Sequence, residues 1–310
     1  MNKKQKVIIG TRSSELALWQ ANFIKGQIEN YFPQVKVELK LVNTKGDIIL
    51  DKALDKIEGK GLFTKELENL LLDGTIDLAV HSLKDMQTEM PDGLLLAAVS
   101  KRHKVNDGLI ARRPGMTIED LPQNAVVATG STRRKAQLLN LRPDIKTLDL
   151  RGNVNTRIKK FLDSNWDAVI LACAGLERIN LEQHISSEID VNTMLPAVGQ
   201  GALGIQINQN NKKLIDICAK LNHPLSFLET AAERAFLAAL GGGCKTPIAA
   251  YATTKDSILH ISGLVSSADG QKQVKIEAEG KPEDAVEIGK KLAADLLDAG
   301  ADEIIKNDFM

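Results

Sequence analysis

Short apolar runs alternate with amphipathic stretches along the first two thirds of the chain. Residues 7–10 (Val-Ile-Ile-Gly) read as a buried strand, and Val35–Val42 alternates apolar with polar positions, as a half-buried strand does. Between them, Ser13 or Ser14 can cap a helix whose apolar side includes Leu16, Trp19, Phe23 and Ile24. A helix is predicted over 63–72, with strands over 76–80 and 94–99. The style repeats beyond residue 106, with a strand over 125–128, a helix over 132–141 and a strand over 147–150. A helix over 154–162 and a strand over 168–172 follow, then a strand over 202–207 and a helix over 214–221. Such alternation predicts α/β units with a mainly parallel sheet. From 225 the order changes to a helix ending at 240, strands near 248–252, 258–265 and 274–279, and a helix over 282–299. That order predicts a small α+β domain. No sequence repeat or low-complexity tract stands out.

The chain has 310 residues, long for one hydrophobic core, so two or three domains are expected. A formal net charge of +0 gives no sign of bulk attraction to nucleic acid or membrane, and no apolar run approaches a membrane span of ~20 residues. The basic start at 1–6 has no signal-peptide apolar region, and 3 cysteines suit a reducing compartment, so a cytoplasmic protein is expected. Cys173 and Cys218 fall in apolar runs and read as packing residues. Cys244 differs. It follows Gly241-Gly242-Gly243 and precedes Lys245, a setting that frees the thiol from side-chain cover and favours its thiolate. The plain alternative is a glycine helix stop before a buried cysteine.

Charge type adds more than charge sum. Of 11 arginines, 8 lie between residues 106 and 200: Arg112, Arg113, Arg133, Arg134, Arg142, Arg151, Arg157 and Arg178. Guanidinium recognises carboxylate or phosphate at two points, whereas lysine is a hydrated point charge. In open α/β sheets ligands bind outside the carboxyl ends of strands. Arg12 and Ser14 fall there, as do His81-Ser82-Leu83-Lys84-Asp85, Gly130-Ser131-Thr132-Arg133-Arg134, Arg151-Gly152-Asn153 and Arg178. An anion-binding cleft between two similar domains is the reading that unites them. Asp85 is the acid in that setting, a helix cap or a carboxylate that moves protons beside a cationic substrate. Gly59-Lys60-Gly61 reads as a loop able to carry a cation towards the cleft. His81 reads as structural, and the remaining histidines lack metal-ligand spacing. No Walker or C-x-x-C pattern occurs. A non-catalytic protein holding a small anion in the same two-domain cleft is the rival reading, and the exposed cysteine has no purpose in it.

In this order, the clusters resemble those of the porphobilinogen deaminase (hydroxymethylbilane synthase) family. The matching stretches are Gly10-Thr11-Arg12-Ser13-Ser14, Thr44-Lys45-Gly46-Asp47, 59–66, 79–85, Leu150-Arg151-Gly152-Asn153, 195–204, Ala232-Glu233-Arg234 and Gly242-Gly243-Cys244. The resemblance implies two periplasmic-binding-protein-like α/β domains around a cleft plus a small C-terminal α+β domain. The expected division is 1–102 with 201–221, then 103–200, then 222–310. It implies a transferase that joins four porphobilinogens head to tail on a dipyrromethane primer and then releases hydroxymethylbilane by hydrolysis.

By the same resemblance, Cys244 forms the thioether to dipyrromethane and Asp85 is the catalytic carboxylate. Ser82, Lys84, Asp85, Ser131, Arg133, Arg134 and Arg157 hold the cofactor. Arg12, Ser14, Lys60, Arg151, Arg157, Arg178 and Gln200 handle substrate. No metal, nucleic acid or membrane partner is implied, and the family is generally monomeric. The chain departs from the usual pattern at Gln87, Gly130 and Gly241 and over 102–108.

Overall fold

A computed structural model describes residues 5–44, 46, 61, 64–241 and 246–309. In chain order the strands are β1 Gln5–Arg12, β2 Val35–Val42, β3 Leu78–Ser82, β4 Leu94–Val99, β5 Asp107–Ala111, β6 Val126–Ala128, β7 Lys146–Leu148, β8 Ala168–Ala172, β9 Ser187–Glu188, β10 Leu203–Asn208, β11 Ile248–Lys255, β12 Ile258–Ser266 and β13 Gln273–Gly280. The helices are α1 Glu15–Tyr31, α2 Lys65–Leu72, α3 Thr132–Leu141, α4 Val154–Leu162, α5 Cys173–Glu177, α6 Ile215–Leu221, α7 Pro224–Ala239, α8 Ala285–Leu296 and α9 Asp302–Phe309.

The described residues of Met1–Leu50, Gly59–His103 and Gly201–Phe227 form one compact unit. Those of Lys104–Gln200 and Leu228–Met310 form a second. The first unit holds a sheet of order β2-β1-β3-β10-β4. β1 runs parallel to β2 and β3, and β10 runs antiparallel to β3 and β4. The second unit holds a sheet of order β7-β6-β8-β5-β9, with β6 parallel to β7 and β8, and β5 antiparallel to β8 and β9. The two sheets therefore share one plan, a mainly parallel set with a single reversed strand in the fourth place. The fold repeats where the sequence shows no repeat, because burial on both faces asks only for apolar runs.

Consecutive strand residues divide between the faces. Leu109 and Ile170 join Leu138 of α3 on one side of the second sheet. Their neighbours Ile110 and Val169 join Ile158 and Phe161 of α4 on the other. In the first unit α1 and α6 cover one face through Ile24, Ile28 and Ile217, and α2 covers the other through Leu67 and Leu71. The second unit also contains the antiparallel sheet β11-β12-β13, packed on α7 and α8 around the fully buried Phe236.

Several expectations are corrected in detail. On α1 the buried side is Gln20, Ala21, Ile24 and Ile28. Trp19 and Phe23 stack on one another at 5.2 Å outside the core, with Phe23 39% exposed. β5 was hidden because its leading Asp107-Gly108 resembles a turn. The expected 282–299 helix is present, as a 3₁₀ turn Pro282–Asp284, α8 and a π-helical stretch from Leu297. Gly300, at φ 102, kinks the chain between α8 and α9. Gly130 has a steric cause, since a Cβ there would stand 2.4 Å from the Leu150 carbonyl oxygen.

Gly289 of α8 supplies a test of the third sheet's packing. A Cβ there would lie 2.1 Å from the Ala232 carbonyl oxygen of α7. Gly→Ala inside a helix ordinarily stabilises by about 1 kcal/mol. Here the helices would have to separate, so Gly289→Ala should lower the unfolding free energy by about 1–2 kcal/mol in denaturant titration.

Candidate active site

In the first unit β1 and β3 end side by side, and their C-terminal ends open onto a pocket. It is lined by Arg12, Ser14, Leu16, Ala17, Gln20, Thr64, Val80, His81, Ser82 and Asp85. Arg12 closes β1, and Ser14 caps α1 by accepting the Ala17 N–H at 3.4 Å. The N-terminal turn of α1 therefore presents its dipole to the pocket. Ser82 ends β3 and accepts a 2.7 Å hydrogen bond from Gln20 Nε2. A 3₁₀ turn, Leu83–Asp85, then buries Leu83 and leaves Lys84 and Asp85 exposed. The turn is set by sequence, because Leu83 must reach the cluster of Met86, Val99 and Ala202.

His81 is the pocket's one imidazole among the described residues and is itself buried, 3.0 Å from the Gln206 side-chain oxygen. Burial pushes its pKa down to about 4, against a raising hydrogen bond to Gln206 and with a further lowering by Arg12. It is neutral near pH 7 and structural, as the sequence suggests.

The second unit gathers another group. β6 ends at Ala128, Gly130 permits close approach to Leu150, and Ser131 caps α3 by accepting the Arg134 N–H at 3.4 Å. Arg133 and Arg134 then turn inward, each 5% exposed. Both meet the fully buried Asp107. Arg133 Nη2 donates to Oδ2 and Arg134 Nη2 to Oδ1, each at 2.7 Å. Their other fixed contacts are carbonyls, Leu195 at 2.8 Å for Arg133 and Ile170 at 3.1 Å for Arg134. Gln200 is 1% exposed and its amide donates to the Val105 carbonyl at 2.6 Å and to Asp107 Oδ1 at 3.0 Å. Burial opposes ionisation of Asp107, yet the charges and hydrogen bonds of both arginines hold its carboxyl well below the usual range.

Arg157 donates from Nε to the Gly152 carbonyl at 2.8 Å, and Lys160 donates to the Arg151 carbonyl at 3.1 Å. Both arginines are half-buried beside the cap Asn153. Arg178 follows α5, and burial pushes its pKa down to about 10, partly offset by Glu177. Cys173 and Cys218 are buried free thiols, pushed up to about 12 chiefly by burial. Cys244 and Lys60 lie outside the described residues. The helix preceding Cys244 closes on Gly241 at φ 62, a left-handed cap. Among the described residues no group of side chains could hold a metal ion, and no helix is long and apolar enough to cross a membrane.

Sequence reasoning gave no site role to Asp107, Gln20 or Thr64. Asp107 had a signal: a lone acid opening an apolar run must find cationic partners if that run is buried.

The profile described as porphobilinogen deaminase, dipyromethane cofactor binding domain, matches residues 7–216, and that of the porphobilinogen deaminase C-terminal domain matches 227–298. The chain belongs to the porphobilinogen deaminase family. A curated relative so named from Chlorobium phaeobacteroides (strain BS1) is 47% identical over 306 residues, 97% of each chain. Another so named, from Syntrophomonas wolfei, is 46% identical over 297 residues, 96% of this chain and 97% of that one. The family consists of transferases of tetrapyrrole biosynthesis, and the chain carries its dipyrromethane-binding domain. The solved methionine-binding protein MetQ aligns at a TM-score of 0.44 and 12% identity over 70% of this chain and 88% of its own, too remote to bear on function.

The His81 environment gives a pH prediction. Its folded pKa of about 4 lies below the unfolded value of 6.5, so the neutral form stabilises the fold above pH 6.5. That contribution, about 3 kcal/mol, is lost as pH falls towards 4. Denaturant titrations at pH 7 and pH 4 should show wild-type stability falling by about that much more than His81→Gln stability. Parallel falls would contradict the assignment.

Proposed function

We propose that the chain deaminates porphobilinogen, joins four molecules head to tail and releases hydroxymethylbilane by hydrolysis. The observation that carries this reading is the pocket in which the carboxylate of Asp85 shares its lining with Arg12, Ser14 and Ser82. A carboxylate in such a cationic setting can accept pyrrole N–H hydrogen bonds and hold positive charge as it develops. The aminomethyl C–N bond breaks, with ammonia taking the electron pair. Asp85 stabilises the azafulvenium cation that remains. The methylene carbon then bonds to the free α-carbon of another pyrrole, whose proton leaves towards Asp85. Arg12 and the Ser14-capped end of α1 receive substrate carboxylates. Arg151, Arg157, Arg178 and Lys60 are assigned to the same task. Gln200 is assigned there too, acting from behind through Asp107.

The residues of the second unit fit the cofactor. Arg133 and Arg134 against Asp107 leave one positive charge uncompensated among the three, and the Nε of each arginine is buried with no hydrogen-bond partner among the described residues. A ligand carboxylate answers both deficits. Dipyrromethane, built from two porphobilinogens, carries acetate and propionate groups. We assign it to Ser82, Lys84, Asp85, Ser131, Arg133, Arg134 and Arg157, with a thioether at Cys244. Bound there, it supplies the pyrrole α-carbon at which polymerisation starts. A monomeric, cytoplasmic protein is the accompanying proposal. So is the division 1–102 with 201–221, 103–200 and 222–310, supported by three sheets with separate hydrophobic clusters.

Incubation with porphobilinogen should release ammonia and a linear tetrapyrrole. Asp85 is exposed, so Asp85→Asn should melt with the wild type yet lose about a hundredfold or more in kcat. Wild-type turnover by that variant would refute the assignment of Asp85.

A further inference from the structure

The arginine pair has a feature that a purely structural ion pair would not need. One guanidinium would neutralise Asp107. The second brings an additional positive charge into a place where Arg133 and Arg134 are each 5% exposed and Asp107 is fully buried. Such a charge is costly unless an anion joins it. Both forks are nevertheless held by two fixed points each, a carbonyl and one oxygen of the same carboxylate.

We propose that Asp107 is a positioning residue for the site: it sets the direction of both guanidinium forks and reduces their joint charge from two to one, so that the pair takes one carboxylate of a bound pyrrole. This rests on the function proposed above.

The surroundings of Asp107 are built for that task. It opens β5, where its partner across the ladder is Ala172 of β8. Its backbone carbonyl accepts the Ile189 N–H at 2.8 Å. Its Oδ1 accepts from Gln200 as well as Arg134, so the carboxylate cannot rotate without breaking one of three bonds. The carbonyl that receives Arg133 is fixed in turn, since Gln137 of the same helix both donates to the Leu195 carbonyl at 3.0 Å and accepts the Leu195 N–H at 2.7 Å. What remains of the forks' donor capacity includes both buried Nε–H groups. Planar forks fixed in direction recognise a planar carboxylate with little ordering left to do.

The test uses full-length apoprotein from a host unable to make porphobilinogen. Wild type, Asp107→Asn, Arg134→Gln and the double variant are each given porphobilinogen, and cofactor loading is followed by intact mass, with thermal melts alongside. Asp107→Asn is expected to load at least about tenfold more slowly than wild type. Because Asp107 acts through the arginines, the double variant, which returns the cluster to one positive charge, should load no more slowly than Arg134→Gln alone. Wild-type loading by Asp107→Asn would overturn the proposal, as would a double variant slowed by the product of the single effects. If Asp107→Asn does not fold, the double variant decides. Loading at the Arg134→Gln rate supports the role. Failure to fold where Arg134→Gln folds, or loading about tenfold slower than that variant, refutes it. Failure of the wild type itself to gain mass would defeat the proposed function instead.

Discussion

A buried guanidinium needs a fixed anion, and in this molecule two of them share one. Asp107 accepts from Arg133 and Arg134 at 2.7 Å on separate oxygens, and all three groups are nearly or fully buried. Removing Asp107 would cost about 3–5 kcal/mol, because it leaves both buried guanidinium charges uncompensated. The sheet order of the second unit makes the contact possible. With β5 antiparallel beside β8, Asp107 at its start stands level with Ala172 at the C-terminal end of β8. That is also the end of the sheet to which α3 brings its capped N-terminus from β6.

The first unit answers the same problem with less burial. Its β1 and β3 also end in polar residues beside a capped helix, yet Arg12, Ser14 and Ser82 are half-buried and Asp85 is exposed. The contrast suits two kinds of work. On the proposed assignments, a cofactor that stays in place would be met by buried forks, whereas a reacting carboxylate would need to remain reachable by molecules that enter and leave. The common strand plan lets one solution be used twice, because both sheets place loops and helix N-termini outside their carboxyl ends.

Much of this was legible in the chain. Thr132–Leu141 and Val154–Leu162 were read to the residue, because a capping residue, Ser131 or Asn153, precedes a clear helical period. The polar clusters at the strand ends were also legible, since each follows an apolar run directly. The face of α1 was not. Trp19 and Phe23 look like core residues by type, but they satisfy one another by stacking on the helix surface. β5 was missed because Asp-Gly signals a turn, and nothing local says that Arg133, 26 positions away, will claim the carboxylate. The inward turn of the arginines was beyond sequence for the same reason. Residue type predicts affinity for an anion, but only the sheet order shows that the first anion met is the protein's own.

The central claim is that these basic clusters serve the carboxylates of an oligopyrrole anchored on one thiol. The most direct measurement is peptide mapping by mass spectrometry of protein purified from cells that make porphobilinogen. The account predicts a dipyrromethane increment on the peptide containing Cys244, with Cys173 and Cys218 unmodified. An unmodified Cys244 peptide, or the increment on another residue, would contradict it.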